Sequence, residues 1–113
     1  MSWVKQALQK LTAGHKVAVR PYGGSMRGRI ESGQLVTLEP ASFNNVEIDD
    51  VVFVAWNNNY LLHLVKDKSA SAILLGNNLG KINGWVQAEA IIGKVIKVEN
   101  YLNYFFLTTN KCF

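Results

Sequence analysis

The chain predicts a mainly β domain: a coiled sheet or barrel with one short N-terminal helix. Three observations predict it. Apolar residues recur at helical spacing in the first dozen positions. After Gly14, short runs rich in Val, Ile, Leu and aromatics follow one another, several alternating with period two. Gly, Asn and Pro stand between these runs in turn-forming combinations. At 113 residues the chain holds one domain with one modest core, divided into a helix over 1–14 and a β core over 15–113.

Ser2 is the expected N-cap of a helix over 2–11. Trp3, Val4, Ala7, Leu8 and Leu11 share one face, Lys5, Gln6, Gln9 and Lys10 fill the other, and Gly14 closes the helix. That face suits packing on the core or a partner better than lying on a membrane surface. Residues 16–20 alternate as a first strand, and residues 35–39 form a second, ended by Pro40. Val51–Trp56 is continuously apolar, which predicts a strand buried on both faces. Asn57, Asn58 and Asn59 make a tight polar turn, and residues 60–66 return as the partner strand. Residues 72–75 start a further hairpin, with loop signals at 76–78 and 80–84. Residues 91–98 show the cleanest alternation, and residues 101–108 form a final aromatic strand.

Composition narrows the function. Hydrophobic residues are 49% and charged residues 18% of the chain, a globular balance rather than a disordered one. The net charge is +4, from 12 Lys and Arg against 8 Asp and Glu. Only Arg20, Arg27 and Arg29 approach a cluster, too sparse for a nucleic-acid footprint. The single cysteine, Cys112, excludes a disulfide within the chain and fits a reducing compartment. No apolar run reaches about 18 residues, and no basic segment followed by an apolar stretch opens the chain. The expectation is a cytoplasmic protein without metal or cofactor. Peripheral contact with a membrane or a partner through Trp3, Val4, Ala7, Leu8 and Leu11 stays open.

One segment carries chemistry. Ser25 stands behind Gly23 and Gly24 and ahead of Met26, with a further glycine turn at Gly33. A serine lifted onto an open turn can meet a substrate, but its hydroxyl is a poor nucleophile until a neighbour takes its proton. The histidines are His15, at the helix end, and His63, inside the apolar run Leu61-Leu62-His63-Leu64-Val65. A ring in such a strand needs a partner or a purpose, and the residues alone leave open whether His63 is structural or catalytic.

Three blocks together resemble the serine peptidase superfamily of signal peptidases and self-cleaving LexA-type repressors. Gly23-Gly24-Ser25-Met26, continuing to Gly33-Gln34-Leu35-Val36, is similar to its G-x-S-M nucleophile box and the turn and strand that follow. Asp49-Asp50-Val51-Val52-Phe53-Val54 with Leu61-Leu62-His63-Leu64-Val65 resembles the hairpin that delivers the general base. Leu74-Leu75-Gly76-Asn77-Asn78, Gly84-Trp85-Val86 and Ile91-Ile92-Gly93-Lys94-Val95 resemble its G-D-N loop and the I-x-G-K/R-V strand. The likeness covers residues 20–98 and is to the Ser–His variant. It implies a LexA- or signal-peptidase-like fold and a serine endopeptidase cutting a protein or peptide beside a small residue. Ser25 would be nucleophile, His63 general base, and Asn77 would stand where the family orients its histidine. Backbone N–H groups of Gly23, Gly24 and Ser25 would bind the oxyanion, with Met26 beside the substrate.

The chain departs from the family pattern at several positions. Gln34 replaces the usual Asp, Gly28 a common proline, and Asn77 and Asn83 stand where acids are found. Asparagine can orient an imidazole but cannot stabilise an imidazolium by charge. Ala13-Gly14 has the chemistry of a repressor self-cleavage bond but lies close before Ser25. Two rivals follow: a degenerate protease fold that binds an extended peptide along a strand edge, and a basic barrel that binds single-stranded nucleic acid through Tyr101, Tyr104, Phe105 and Phe106. The second lacks interleaved lysines and ranks last.

Overall fold

The structure is a computed structural model that describes residues 2–99. The expected aromatic strand over 101–108 and Cys112 lie outside that range. Helix α1 (Trp3–Thr12) begins at Ser2, whose side chain accepts the Lys5 N–H. It ends in a paired C-terminal motif: Gly14 N–H donates to Leu11 C=O, and His15 N–H to Lys10 C=O. Gly14 takes φ +87°, which glycine adopts without steric cost.

Seven strands follow: β1 (Val17–Val19), β2 (Leu35–Pro40), β3 (Val51–Trp56), β4 (Asn59–Lys68), β5 (Ala72–Gly76), β6 (Ile82–Gln87) and β7 (Ile91–Glu99). They form one antiparallel sheet in the order β1-β2-β7-β3-β4-β5-β6. The mainly β expectation with one short helix is met. Among the described residues the sheet is open, with β1 and β6 at its edges, so it is a sheet rather than a closed barrel.

β3 and β4 meet through Asn57 and Asn58, both at positive φ (48° and 63°), the geometry a two-residue hairpin turn requires. The loop expected over 80–84 is corrected: β6 starts at Ile82 and runs through Gly84. Gly84 sits at φ +147°, which L side chains rarely adopt, and a Cβ on it would also lie 3.1 Å from the Trp56 ring.

Around β3 the sheet is buried on both faces. By alternation, Val51 and Phe53 of β3 join one cluster with Leu62 and Leu64, Val36 and Leu38, and Ala7 and Leu11 of α1. Val52 and Val54 join a second cluster with Val65, Ile73, Leu75 and Ile91. This is why β3 reads as an unbroken apolar run: it is the partition between two cores. The apolar face of α1 lies on the first core, with Ala7 and Leu11 buried and Trp3, Val4 and Leu8 packed against them.

Candidate active site

The loop between β1 and β2 carries Ser25. Met26 and Ile30 anchor it, each buried in the first core, and consecutive turns bond Arg27 N–H to Gly24 C=O and Ile30 N–H to Met26 C=O. Side chains hold the return. Glu31 accepts the Gly28 N–H at 2.8 Å, and Gln34 accepts the Glu31 N–H at 2.7 Å. That use of Gln34 needs an acceptor, not a charge. Anchored this way, Ser25 stands exposed at the top of the loop.

Ser25 and His63 line one cleft of about 180 Å³, together with Pro21, Tyr22 and Gly23 on the loop side and Tyr60, Leu61 and Leu62 on the β4 side. No hydrogen bond joins Ser25 to His63 among the described residues. The strand ladder explains the opening. Residues 60–63 of β4 pair with β3, but β5 meets β4 only from Leu64 onward. One backbone edge of this stretch is therefore unpaired by the sheet beside the cleft. His15, the other histidine, sits in the exposed link after α1 and does not line the cleft.

His63 is buried, at 8% exposure, and its Nδ1 lies 2.7 Å from Asn83 Oδ1. A carbonyl oxygen only accepts, so Nδ1 carries the proton and Nε2 is left as the acceptor. Burial pushes the imidazole below the ordinary histidine value of 6.5; the Asn83 bond opposes this, and the Lys81 charge adds to the lowering. The ring is thus held neutral at pH 7, in the state a general base needs.

The partner of His63 is Asn83, not Asn77. Leu64 pairs with Gly76, which sets Asn77 beside the level of His63, but its side chain is engaged elsewhere. Asn77 Oδ1 accepts the N–H groups of Leu79 and Lys81, each at 2.9 Å, and so shapes the β5–β6 turn. Asn83 reaches the ring because of a bulge. Leu75 pairs with Gly84 and Gly76 with Ile82, leaving Asn83 as the extra residue of β6. Bulges re-aim a side chain in this way. Sequence reasoning had only the position of Asn83 opposite a family acid to go on, since a bulge leaves no local pattern.

The remaining expected site residues divide. The Gly23 N–H donates to Ser32 Oγ at 3.1 Å, so it is not open to an oxyanion. The N–H groups of Gly24 and Ser25 have no acceptor among the described residues and remain available. Met26 reaches the cleft wall but is 4% exposed and belongs to the core. No group of three metal-ligating side chains occurs among the described residues. No helix among them is long and apolar enough to cross a membrane. Comparison with protein-family models, curated proteins and solved structures finds no match to this chain.

Proposed function

We propose that this chain is a serine endopeptidase of the signal-peptidase and LexA type, with Ser25 as nucleophile and His63 as base. The observation that carries this reading is the pairing in one cleft of an exposed serine with a buried, neutral histidine whose Nδ1 is held by Asn83. Ser25 Oγ attacks a peptide carbonyl carbon while His63 Nε2 takes the hydroxyl proton. The N–H groups of Gly24 and Ser25 stabilise the tetrahedral oxyanion. His63 returns the proton to the leaving amine, and water later hydrolyses the acyl-enzyme by the same route. The unpaired edge at residues 60–63 suits an extended peptide laid along it as an added strand. The cleft is below the roughly 300–1,000 Å³ of typical ligand pockets, which favours a small side chain beside the scissile bond.

A fluorophosphonate probe tests the assignment. The wild type is expected to label, while Ser25→Ala and His63→Ala lose labelling. Equal labelling of all three removes Ser25 and His63 from the chemistry.

One observation favours a second reading, a catalytically degenerate peptide-binding module. The residue on His63 is uncharged, so an imidazolium formed during reaction gains hydrogen bonding but no opposite charge. Under that reading the wild type does not label, yet an extended peptide still binds and Tyr60→Ala weakens it.

A further inference from the structure

Three hydrogen bonds tie the β5–β6 hairpin to the Ser25 loop among the described residues, and Asn78 makes all of them. Its N–H donates to Ser25 C=O at 3.1 Å. Its Nδ2 donates to Arg27 C=O at 2.8 Å, and its Oδ1 accepts from Arg29 Nε at 3.2 Å. The grip falls on positions 25, 27 and 29, the stretch that presents the serine. Gly28 makes room for it: a Cβ there would lie 2.7 Å from Asn78 Nδ2, and the residue sits at φ +100°. Five residues further along the same hairpin, Asn83 holds His63.

We propose that Asn78 is a positioning residue that fixes the Ser25 loop against the β5–β6 hairpin, so that one hairpin sets the placement of both Ser25 and His63. This rests on the reading of Ser25 as nucleophile. Burial of Met26 and Ile30 holds the loop down, but apolar burial is non-directional. The three Asn78 bonds are directional, and one of them lands on the serine's own carbonyl. An error of about 1 Å in a reacting group can cost on the order of a hundredfold in rate, so a grip at this point governs reactivity rather than overall stability.

The experiment follows Asn78→Ala and Asn78→Asp by amide hydrogen exchange and by fluorophosphonate labelling. Asn78→Ala keeps the backbone N–H of residue 78, whose exchange reports its bond to Ser25, and that exchange is expected to quicken about tenfold. The maximal labelling rate falls about tenfold or more while the probe's half-saturating concentration holds. The His63 Nδ1 proton resonance stays in place, because Asn83 is untouched. Asn78→Asp turns the Nδ2 donor into an oxygen facing the Arg27 carbonyl while keeping an acceptor for Arg29; quickened exchange and slower labelling are expected of it too, and it serves if the alanine variant does not fold. Unchanged exchange in both variants overturns the proposal. So does quickened exchange with an unchanged labelling rate, which would make the bonds purely structural. A wild type that never labels defeats the nucleophile reading instead, and the exchange measurement then decides by itself whether Asn78 holds the loop.

Discussion

His63 shows how one residue's role depends on a single neighbour. Its ring is buried in an apolar strand, which alone favours the neutral form, and the Asn83 carbonyl then selects the tautomer with Nε2 free. Asn83→Asp should add charge to that bond. The expected outcome is labelling faster by roughly tenfold, with the acid limb of its pH profile moved to higher pH, because a carboxylate favours the imidazolium. Asn83→Ala should slow labelling by about a hundredfold. A pH profile identical in wild type and Asn83→Asp would show that Asn83 does not contact His63 in solution. At this scale much was legible: Ser25 and His63 stand out in the sequence. What was illegible is which asparagine serves the ring. The resemblance pointed to Asn77, yet two turn N–H groups claim its oxygen.

Among the elements, α1 and β7 show how close packing is written in small residues. Gly93 of β7 lies under Leu11: a Cβ there would come within 2.8 Å of Leu11 Cδ1 and of Glu39 C=O. The backbone oxygen cannot move without opening the β2–β7 pairing, in which Pro40 faces Gly93. Gly93→Ala should therefore destabilise the fold by about 1–3 kcal/mol, the usual cost of overpacking, measured by urea unfolding. An unaltered midpoint would mean that α1 lifts from the sheet freely. The β6 strand makes the converse point. Gly80 and Gly84 read as loop signals, but glycine marks both turns and close approach. At Gly84 the assembled strand supplies the reasons, a φ of +147° and the Trp56 ring lying close over it.

For the whole molecule, two clusters share one sheet, and His63 is the buried titratable side chain in that interior among the described residues. Its lowered pKa gives a signed prediction. The unfolded chain binds the histidine proton first as pH falls, so this contribution to stability is intact above about 6.5 and is lost as pH drops through the lower folded value. Unfolding free energy should decline on acidification from pH 7, and His63→Gln should flatten that part of the decline. Parallel profiles for the two proteins would count against a buried, neutral His63.

The sequence by itself determined the helix with its caps, the strands that alternate or run apolar, and the serine on a glycine turn and histidine in an apolar strand on which the proposed function rests. These are short-range properties, set by spacing, turn chemistry and burial of neighbouring residues. The tertiary structure alone decided that the sheet stays open, that β6 is a strand, that Asn83 holds His63, and that Asn78 grips the Ser25 loop. Each of these depends on register between strands or on contacts across dozens of residues, such as the 51 positions between Arg27 and Asn78. A bulge that turns one asparagine inward shifts no local pattern, so only the assembled sheet reveals it.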